Sequence, residues 1–479
     1  MVKKVSKHAS NKWVILALLT LAQFMVVLDI AIVNVALPSI SADLHFAPND
    51  LQWVVTAYTL TFGGFLLLGG RAADLYGRRR LFMISVGMFG LASLACGVAQ
   101  SDSMLIITRA IQGLAAAFMS PVALSLVLTE FKEGKDRNRA LGVWAAVSAG
   151  GAAVGVLLGG VLTQYLDWRW NFFVNVPIGI LVVLAAAQLL PHHIGEETKK
   201  MKLDLPGATT ATAGLMALVY GLSKAPADGW GSQTVISFLV ASAVLLVAFV
   251  INESRTEQPL MPLKLFKIRN VSGGNLTSLA IACTLFSMFF FITLYVQTVL
   301  GYSPVKTGLA FLPVTFIIGI TSGVVSNVIA KTGHKPFLVA GPVILAVGLF
   351  LLTNIRVNGN YMHDVFPGLA VCALGMGLAF IAMTLAATSG VPKHFSGLAS
   401  GVLNTSQQVG GAIGLAILSA VFASTFKSDI ASHVAGPVAQ VHGYRDGLRV
   451  GVGLAIAAAA VALLVVKNEK VKPDLAAGL

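Results

Sequence analysis

The chain has 479 residues, of which 56% are hydrophobic and 11% are charged, whereas soluble globular proteins carry about 25% charged residues. This composition excludes an ordinary soluble domain and predicts an integral membrane protein. The formal net charge of +13 would indicate nucleic-acid binding only if the basic residues clustered on a soluble surface.

Apolar stretches long enough to cross a bilayer, about 20 residues each, occur fourteen times along the chain. The sequence therefore predicts an all-α integral membrane protein with 14 transmembrane helices. All but two of the charged residues fall in loops, termini or the ends of spans on this assignment. The predicted spans lie near residues 13–37, 51–70, 81–99, 104–128, 139–164, 171–190, 205–223, 233–251, 271–299, 307–330, 337–354, 365–389, 398–425 and 448–466.

Basic residues are distributed unequally between the two sides of the predicted membrane. The termini and the loops on their side hold 25 of the 33 Lys and Arg residues, and the opposite loops hold seven. Because basic loops stay in the cytoplasm, we expect both termini to be cytoplasmic. This topology explains the positive net charge, so no nucleic-acid partner is expected.

The two charged residues left inside the membrane are Asp29, in the first span, and Arg109, in the fourth. A charge there costs at least about 2.5–3.5 kcal/mol on insertion scales, so each needs a function or a buried partner. Both lie about 8–12 Å below the outer surface at a rise of 1.5 Å per residue, which permits an ion pair.

Two hypotheses for this pair stay open. In the first, burial and the nearby arginine act in opposite directions on Asp29, so that it gains and loses a proton in each cycle. In the second, the pair is a static link between two spans. We favour the first, because a buried ion pair usually adds little stability over apolar packing.

The loop after the second span reads GGRAADLYGRRRLF and contains Gly70, Asp74, Gly77 and Arg78. The glycines permit a tight turn and close helix approach, and the aspartate can pair with arginine or accept from a helix N-terminus. A purely basic anchor would not need an acid at a fixed offset.

The fifth span carries a face of glycines that predicts close packing against a neighbouring helix. These glycines are Gly151, Gly155, Gly159 and Gly160. The surrounding string GVWAAVSAGGAAVG is similar to GVLNTSQQVGGAIG in the thirteenth span, 259 residues later, with glycine spacings of 9 and 4 in both. A parallel repeat of this kind predicts two equivalent halves, and chance agreement between glycine-rich helices is the alternative.

Together these strings resemble the major facilitator superfamily, and within it the fourteen-span drug:proton antiporters. The strings LDIAIVNVALP, RAIQGLAAA and WRWNFFVNVPIG extend the resemblance over almost the whole chain. The resemblance implies the major facilitator fold, with two six-helix lobes and two extra central helices. The expected divisions are an N-terminal lobe at 1–190, the extra helices with their linkers at 191–270, and a C-terminal lobe at 271–479.

The resemblance also assigns roles to two of these motifs. It implies that Gly70, Asp74, Gly77 and Arg78 form a conformational latch between the lobes, and that the glycines of the fifth span belong to the family's helix-packing motif. One departure is Val156, which stands where family antiporters usually carry proline after glycine.

The predicted function is proton-coupled antiport, exporting lipophilic neutral or monocationic drugs or antibiotics across the cytoplasmic membrane by alternating access. One membrane carboxylate supports one proton per substrate and offers no second acid for a dication. The alternative is a dedicated exporter of one endogenous metabolite or lipid-like compound, and a non-transporting receptor or scaffold is least favoured. We expect no enzyme activity, because no nucleophile–base pair, paired carboxylates or metal cluster lies within the spans.

The expected partners are a lipophilic small molecule, protons and membrane lipids, with the proton gradient as the energy source. No cofactor or metal is expected, because the three cysteines lie singly and far apart, without metal-ligand spacing. We expect a monomer in the plasma or inner membrane.

A substrate cavity is expected between the two repeats near the middle of the membrane. Aromatic faces there would suit cations and planar drugs, whereas simple packing between helices is the alternative for each residue. The candidate lining residues are Phe24, Asn34, Tyr58, Gln112, Phe289, Tyr295, Asn404 and Gln407.

Overall fold

The structure, a computed structural model, describes residues 12–47, 50–131, 135–190, 203–257, 259–391 and 396–469. The described residues form helices and connecting loops, without a strand. Fourteen helical segments are long and apolar enough to cross a membrane, which confirms the predicted fold class.

The helices follow one another across the membrane, and the sixth span consists of a short helix, α6, and a longer one, α7. Because the number of spans is even, α1 begins and α15 ends on the same side, here called the terminal face. The other side is called the opposite face. The helices are α1 (Lys12–Leu44), α2 (Trp53–Tyr76), α3 (Arg78–Gly97), α4 (Asp102–Glu130), α5 (Lys135–Tyr165), α6 (Trp170–Phe173), α7 (Asn175–Leu189), α8 (Leu205–Asp228), α9 (Gln233–Arg255), α10 (Arg269–Leu294), α11 (Pro304–Thr332), α12 (Lys335–Leu352), α13 (Phe366–Thr388), α14 (Ser396–Ala431) and α15 (Gly436–Val465).

The last two helices continue beyond the predicted spans on the opposite face. Hydropathy marks only their apolar parts, whereas α14 reaches Ala431 and α15 already begins at Gly436. Polar contacts join the extended ends. Thr425 donates to Asp446 at 2.9 Å, and a ring nitrogen of His442 lies 2.7 Å from a carboxylate oxygen of Asp429. These contacts stabilise the polar helical turns at the ends of α14 and α15, which a search for apolar stretches does not detect.

The same order of helix packing occurs in two groups, α1–α7 and α10–α15. In the first group α1 packs against α5, α2 against α4, and α3 against α4 and α7. In the second group α10 packs against α14, α11 against α13, and α12 against α13 and α15. The two groups therefore have equivalent helix neighbours.

The repeated glycines make equivalent contacts in the two groups. A Cβ atom built on Gly155 would lie 3.0 Å from the carbonyl oxygen of Leu28 on α1. A Cβ atom built on Gly414 would lie 2.2 Å from the carbonyl oxygen of Cys283 on α10. In both groups glycine therefore lets the fifth helix of the group approach the backbone of the first.

The two additional helices, α8 and α9, pack against each other, and α8 also contacts α2 and α14. Leucines on α9 fill the space above glycines of α8, as Leu246 does at Gly214 and Leu239 at Gly221. The outer helix, α9, has only three buried residues. Thus α8 contacts both groups, whereas α9 lies at the periphery.

The two groups contact each other closely near the opposite face. A Cβ atom on Gly160 would lie 2.6 Å from the carbonyl oxygen of Pro304, and one on Gly308 would lie 2.8 Å from that of Val156. A second line of contact joins α2 to α14, where the Thr405 hydroxyl donates to the Gly63 carbonyl oxygen at 3.1 Å.

Nearer the terminal face, glycines of α5 and α11 have open space around them. A Cβ atom built at any of these positions would meet no other described atom within 4 Å. The positions are Gly142, Gly150, Gly319 and Gly323. The tight glycine contacts between α5 and α11 thus lie toward the opposite face.

Candidate functional site

Asp29 and Arg109, the charged residues predicted inside the membrane, form an ion pair. An Nη1–Oδ2 distance of 2.5 Å joins α4 to α1, and the two side chains are 1% and 0% exposed. The guanidinium also donates through Nε to the carbonyl oxygen of Val54 on α2 at 2.9 Å. The pair therefore ties together three helices of the first group.

Amide side chains complete the surroundings of the carboxylate. Gln112, one turn after Arg109 on α4, donates to Asp29 Oδ1 at 2.7 Å, and Asn175 on α7 donates to the same oxygen at 3.2 Å. Gln112 also accepts from the arginine at 2.7 Å and lies 2.7 Å from the Ser93 hydroxyl on α3. Donors from α4 and α7 thus hold the carboxylate away from water.

Aromatic rings flank the guanidinium. Its central carbon lies 4.3 Å from the ring centroid of Tyr58 and 5.7 Å from that of Phe172. Arginine over an aromatic face gains a cation–π attraction, which is larger where water is excluded. The Tyr58 hydroxyl oxygen is buried without a hydrogen-bond partner among the described residues. The side-chain oxygen of Asn175 is likewise without a partner among the described residues, so two polar atoms beside the pair are unsatisfied.

The sequence predicts the Asp29–Arg109 pair but not most of the residues around it. It assigns Gln112 and Tyr58 to the substrate cavity, whereas the structure places both against Arg109. Asn175 and Ser93 were not singled out as site residues. Both are polar residues within apolar spans, a signal that marks a candidate position without naming its partner.

The other predicted cavity residues lie on α1 and α14 and in or directly after α10. Phe24 lies against Gly151, Asn34 donates to its own helix at Ile30, and Phe289 packs against Phe311 at 5.6 Å. Asn404 and Gln407 lie on α14, where Asn404 is exposed and Gln407 is half-buried. The Tyr295 hydroxyl donates to the Arg356 carbonyl oxygen near the opposite face at 2.7 Å.

The predicted latch lies between α2 and α3. Gly77 has a φ of 84°, a left-handed conformation that favours glycine, and it connects the two helices. Gly70 lies opposite Pro121 of α4, and Arg78 donates to the Thr129 hydroxyl of α4. The side chain of Asp74 lies outside the described part of the structure. The equivalent turn in the second group uses Gly333, with a φ of 83°.

The predicted helix-packing glycines lie between α1 and α11. Built Cβ atoms on Gly151, Gly155 and Gly159 would contact α1, and one on Gly160 would contact α11. The helix α5 continues through Val156, so the substitution of the family's proline leaves its hydrogen-bonded ladder continuous.

Three carboxylates that lie outside the predicted spans are in fact buried, and one of them is Asp364, which is 8% exposed and pairs with Arg356. Asp204 precedes the first turn of α8 and is 5% exposed, and Glu253 lies in the last turn of α9 and is 3% exposed. The hydropathy pattern excluded both from the spans, but it cannot detect burial where two helix ends meet. Asp29 is therefore not the only buried acid of the molecule.

Fourteen apolar spans, twelve of them in two similarly packed groups with an ion pair sealed inside one group, define a multi-pass membrane transporter. The chain belongs to the Major Facilitator Superfamily, whose family model matches residues 19–415. The family and the relatives described below are transporters, so the chain is a transporter and not an enzyme.

Named antibiotic resistance and export proteins are among its relatives. The puromycin resistance protein pur8 of Streptomyces alboniger is 42% identical, over 84% of this chain and 80% of its own length. The cephamycin export protein CmcT of Amycolatopsis lactamdurans is 41% identical, over 83% of this chain and 82% of its own length.

Solved structures match the fold. A peptide transporter POT aligns over 94% of this chain and 93% of its own with a TM-score of 0.68 and 15% identity. A bacterial homologue of the lysosomal transporter Spinster, inward-facing and occupied, aligns over 95% and 97% with a TM-score of 0.62 and 16% identity.

Proposed function

We propose that this chain exports lipophilic neutral or monocationic antibiotics or drugs across the cytoplasmic membrane in exchange for protons. The observation that carries the proposal is the Asp29–Arg109 pair, a buried carboxylate held by a cation and two amides. Support for the substrate class comes from the relatives, which are named for resistance to puromycin and export of cephamycin.

The proton would act by changing the partners of Asp29. Arginine stays charged at all physiological pH values, so the carboxylate is the group of this pair that can take up a proton. A protonated Asp29 no longer neutralises Arg109, which keeps Val54 and Gln112 as acceptors. The contact between α1 and α4 would weaken, and the helices of the first group could then reorient.

Alternating access is supported by the distribution of contacts between the two groups. Glycines bring α5 and α11 together near the opposite face, whereas glycines of the same helices have open space nearer the terminal face. We assign the terminal face to the cytoplasm, because the loops on that side carry most of the lysines and arginines. We therefore propose that substrate enters between α5 and α11 from the cytoplasmic side.

The remaining elements of the proposal follow from this cycle. The chain resides in the plasma membrane as a monomer, and the proton gradient supplies the energy. Asp74 with Gly70, Gly77 and Arg78 would close the cytoplasmic side when the transporter faces outward. The candidate cavity residues would line the path between the two groups.

Transport in inverted membrane vesicles tests the coupling. Under an imposed proton gradient, Asp29→Asn should reduce the accumulation of a lipophilic cationic dye by at least about tenfold, because the variant has no carboxylate at this position to carry the proton. A tenfold ratio corresponds to about 1.4 kcal/mol. Binding of the dye to the purified variant should change little. Asp43→Asn is the matched control, because Asp43 lies on the same helix and its ion pair with Arg169 is partly exposed. Undiminished gradient-driven transport by Asp29→Asn would refute the coupling role.

A second candidate function is dedicated export of one endogenous metabolite. The observation that favours it is that relatives carry the name of a single antibiotic, such as cephamycin or tetracenomycin. A susceptibility panel in a drug-sensitive host separates the two: protection against several unrelated compounds supports multidrug export, and protection against one supports the dedicated exporter.

A further inference from the structure

Two acidic side chains meet at the terminal-face ends of the additional helices. The Asp204 carboxylate accepts from the Gly207 backbone N–H at 2.8 Å, which begins α8, and both of its oxygens accept from Asn252 at 2.8 Å. Glu253 accepts from the Met261 backbone N–H through Oε2 at 2.8 Å. Neither side chain is more than 5% exposed.

The other oxygen of Glu253 has no hydrogen-bond donor among the described residues. It faces Asp204: a Cβ atom built on Gly207 would lie 2.9 Å from Glu253 Oε1 and 2.5 Å from Asp204 Oδ2. A buried carboxylate oxygen without a donor is costly, and a second carboxylate beside it adds repulsion. A single proton between the two oxygens would remove both costs.

The charges around the pair support the same conclusion. Among the described residues, the cation whose charge acts on both carboxylates is Arg71, near the end of α2, whereas Arg255 on α9 is exposed. Within this described group, two ionised carboxylates and one guanidinium leave one uncompensated negative charge in a buried site. One bound proton makes the group neutral, which is the favoured state away from water.

We propose that Asp204 and Glu253 hold one proton between them and form a second proton-binding site, separate from the Asp29–Arg109 pair. On release, the O–H bond of Glu253 breaks, the proton passes to water and both carboxylates are ionised. The extra negative charge then attracts Arg71 more strongly. Since Arg71 follows Gly70 of the predicted latch, proton binding here is linked to the position of α2 against α8.

The proposed proton-binding site also gives the additional helices, α8 and α9, a function. They contribute both carboxylates, and their charge acts on an arginine of the first group. The proposal is independent of the coupling role of Asp29, because it concerns which carboxyl groups are protonated and not whether transport follows.

Infrared spectroscopy of the purified full-length protein at neutral pH tests the proposal, through the carbonyl stretch of protonated carboxylic acids. Glu253→Gln and Asp204→Asn should each abolish the same band, because removing either acid leaves one carboxylate that Arg71 neutralises. Asp29→Asn is the matched control and should leave this band in place. Retention of the full band in Glu253→Gln would overturn the proposal, as would separate bands for the two acids, each lost only with its own residue.

A variant with the opposite expected effect distinguishes loss of the bound proton from misfolding of the protein. Arg71→Gln removes the neutralising cation, so the pair should bind its proton more tightly and the band should persist to higher pH than in the unaltered protein. Loss of folded protein cannot produce that shift. An unchanged or lower pH of proton release in Arg71→Gln would contradict the role of Arg71.

Discussion

The two halves of the molecule share their packing but not their chemistry. Gly155 and Gly414 make equivalent contacts with Leu28 and Cys283, so Asp29 in the first half corresponds to Thr284 in the second. Thr284 is fully buried, and its hydroxyl donates to the backbone of its own helix at 3.0 Å, where Asp29 bonds across helices.

The arginine has no counterpart either. A Cβ atom built on Gly113 would meet Tyr58 and Thr61 of α2, and one built on Gly377 would meet Ile318 and Thr321 of α11. This equivalence places Ala373 opposite Arg109 and Met376 opposite Gln112, both buried. Small residues at helix contacts preserve the shared backbone, whereas the positions equivalent to Asp29, Arg109 and Gln112 are occupied by uncharged Thr284, Ala373 and Met376 in the second half. The two halves can therefore move as similar bodies while one of them carries the central charge.

The largest expected effect comes from removing the cation of the first half. Arg109→Met leaves Asp29 buried and unpaired, which should cost about 3–5 kcal/mol of folding stability. Thermal unfolding in detergent measures the loss, and the double variant Asp29→Asn/Arg109→Met should recover much of it. Arg169→Met, which breaks a partly exposed pair, should cost about 0–1 kcal/mol. Equal loss in the single and double Arg109 variants would show that packing, and not charge, holds this site.

Adding an acid to the second half tests the same difference from the other side. Thr284→Asp introduces a buried carboxylate without an arginine, at a cost of about 2.5–3.5 kcal/mol. The yield of monodisperse membrane protein should fall, whereas Thr284→Val should be tolerated. Addition of Ala373→Arg to Thr284→Asp should restore part of the yield. Equal yields of Thr284→Asp and Thr284→Val would mean that the second half accepts a lone charge.

The shared packing predicts that both repeated glycines are sensitive to an added methyl group. Gly155→Ala and Gly414→Ala each force a Cβ atom against the backbone of a neighbouring helix and should cost about 1–3 kcal/mol in thermal unfolding. Gly142→Ala is the control, because open space surrounds it, and it should be neutral or stabilising by up to about 1 kcal/mol. Sensitivity at one repeat glycine and not the other would break the equivalence of the halves.

The smallest expected effect distinguishes the two turns at Gly77 and Gly333. The second turn contains His334, which is 2% exposed, and burial lowers its pKa below the ordinary value. Below about pH 6.5 the unfolded chain binds a proton that the folded chain does not, so the free energy of unfolding decreases as the pH falls. Thermal unfolding as a function of pH measures this slope.

His334→Gln should flatten the slope on the acidic side, and His363→Gln, at an exposed position, should leave it unchanged. A slope of unaltered size in His334→Gln would assign the acid sensitivity to other groups.

The sequence by itself determined the class, the number of spans and the position of the central charges. Bilayer thickness imposes a length on each apolar segment, and a charge within such a segment is costly enough to be noticed without any structure. The repeated glycine spacing likewise marked the positions where helices come closest. These are local signals, readable from residues near one another in the chain.

The tertiary structure alone decided which distant residues meet. Asn175 reaches Asp29 from α7, Gln112 donates to the same carboxylate from α4, and Asp204 meets Glu253 where α8 begins and α9 ends. A hydropathy window averages over neighbours in sequence, so it assigns an acid at a helix end to a loop even when another helix buries it. Which side chains contact each other depends on how the helices pack, and the sequence of a single helix does not determine that packing.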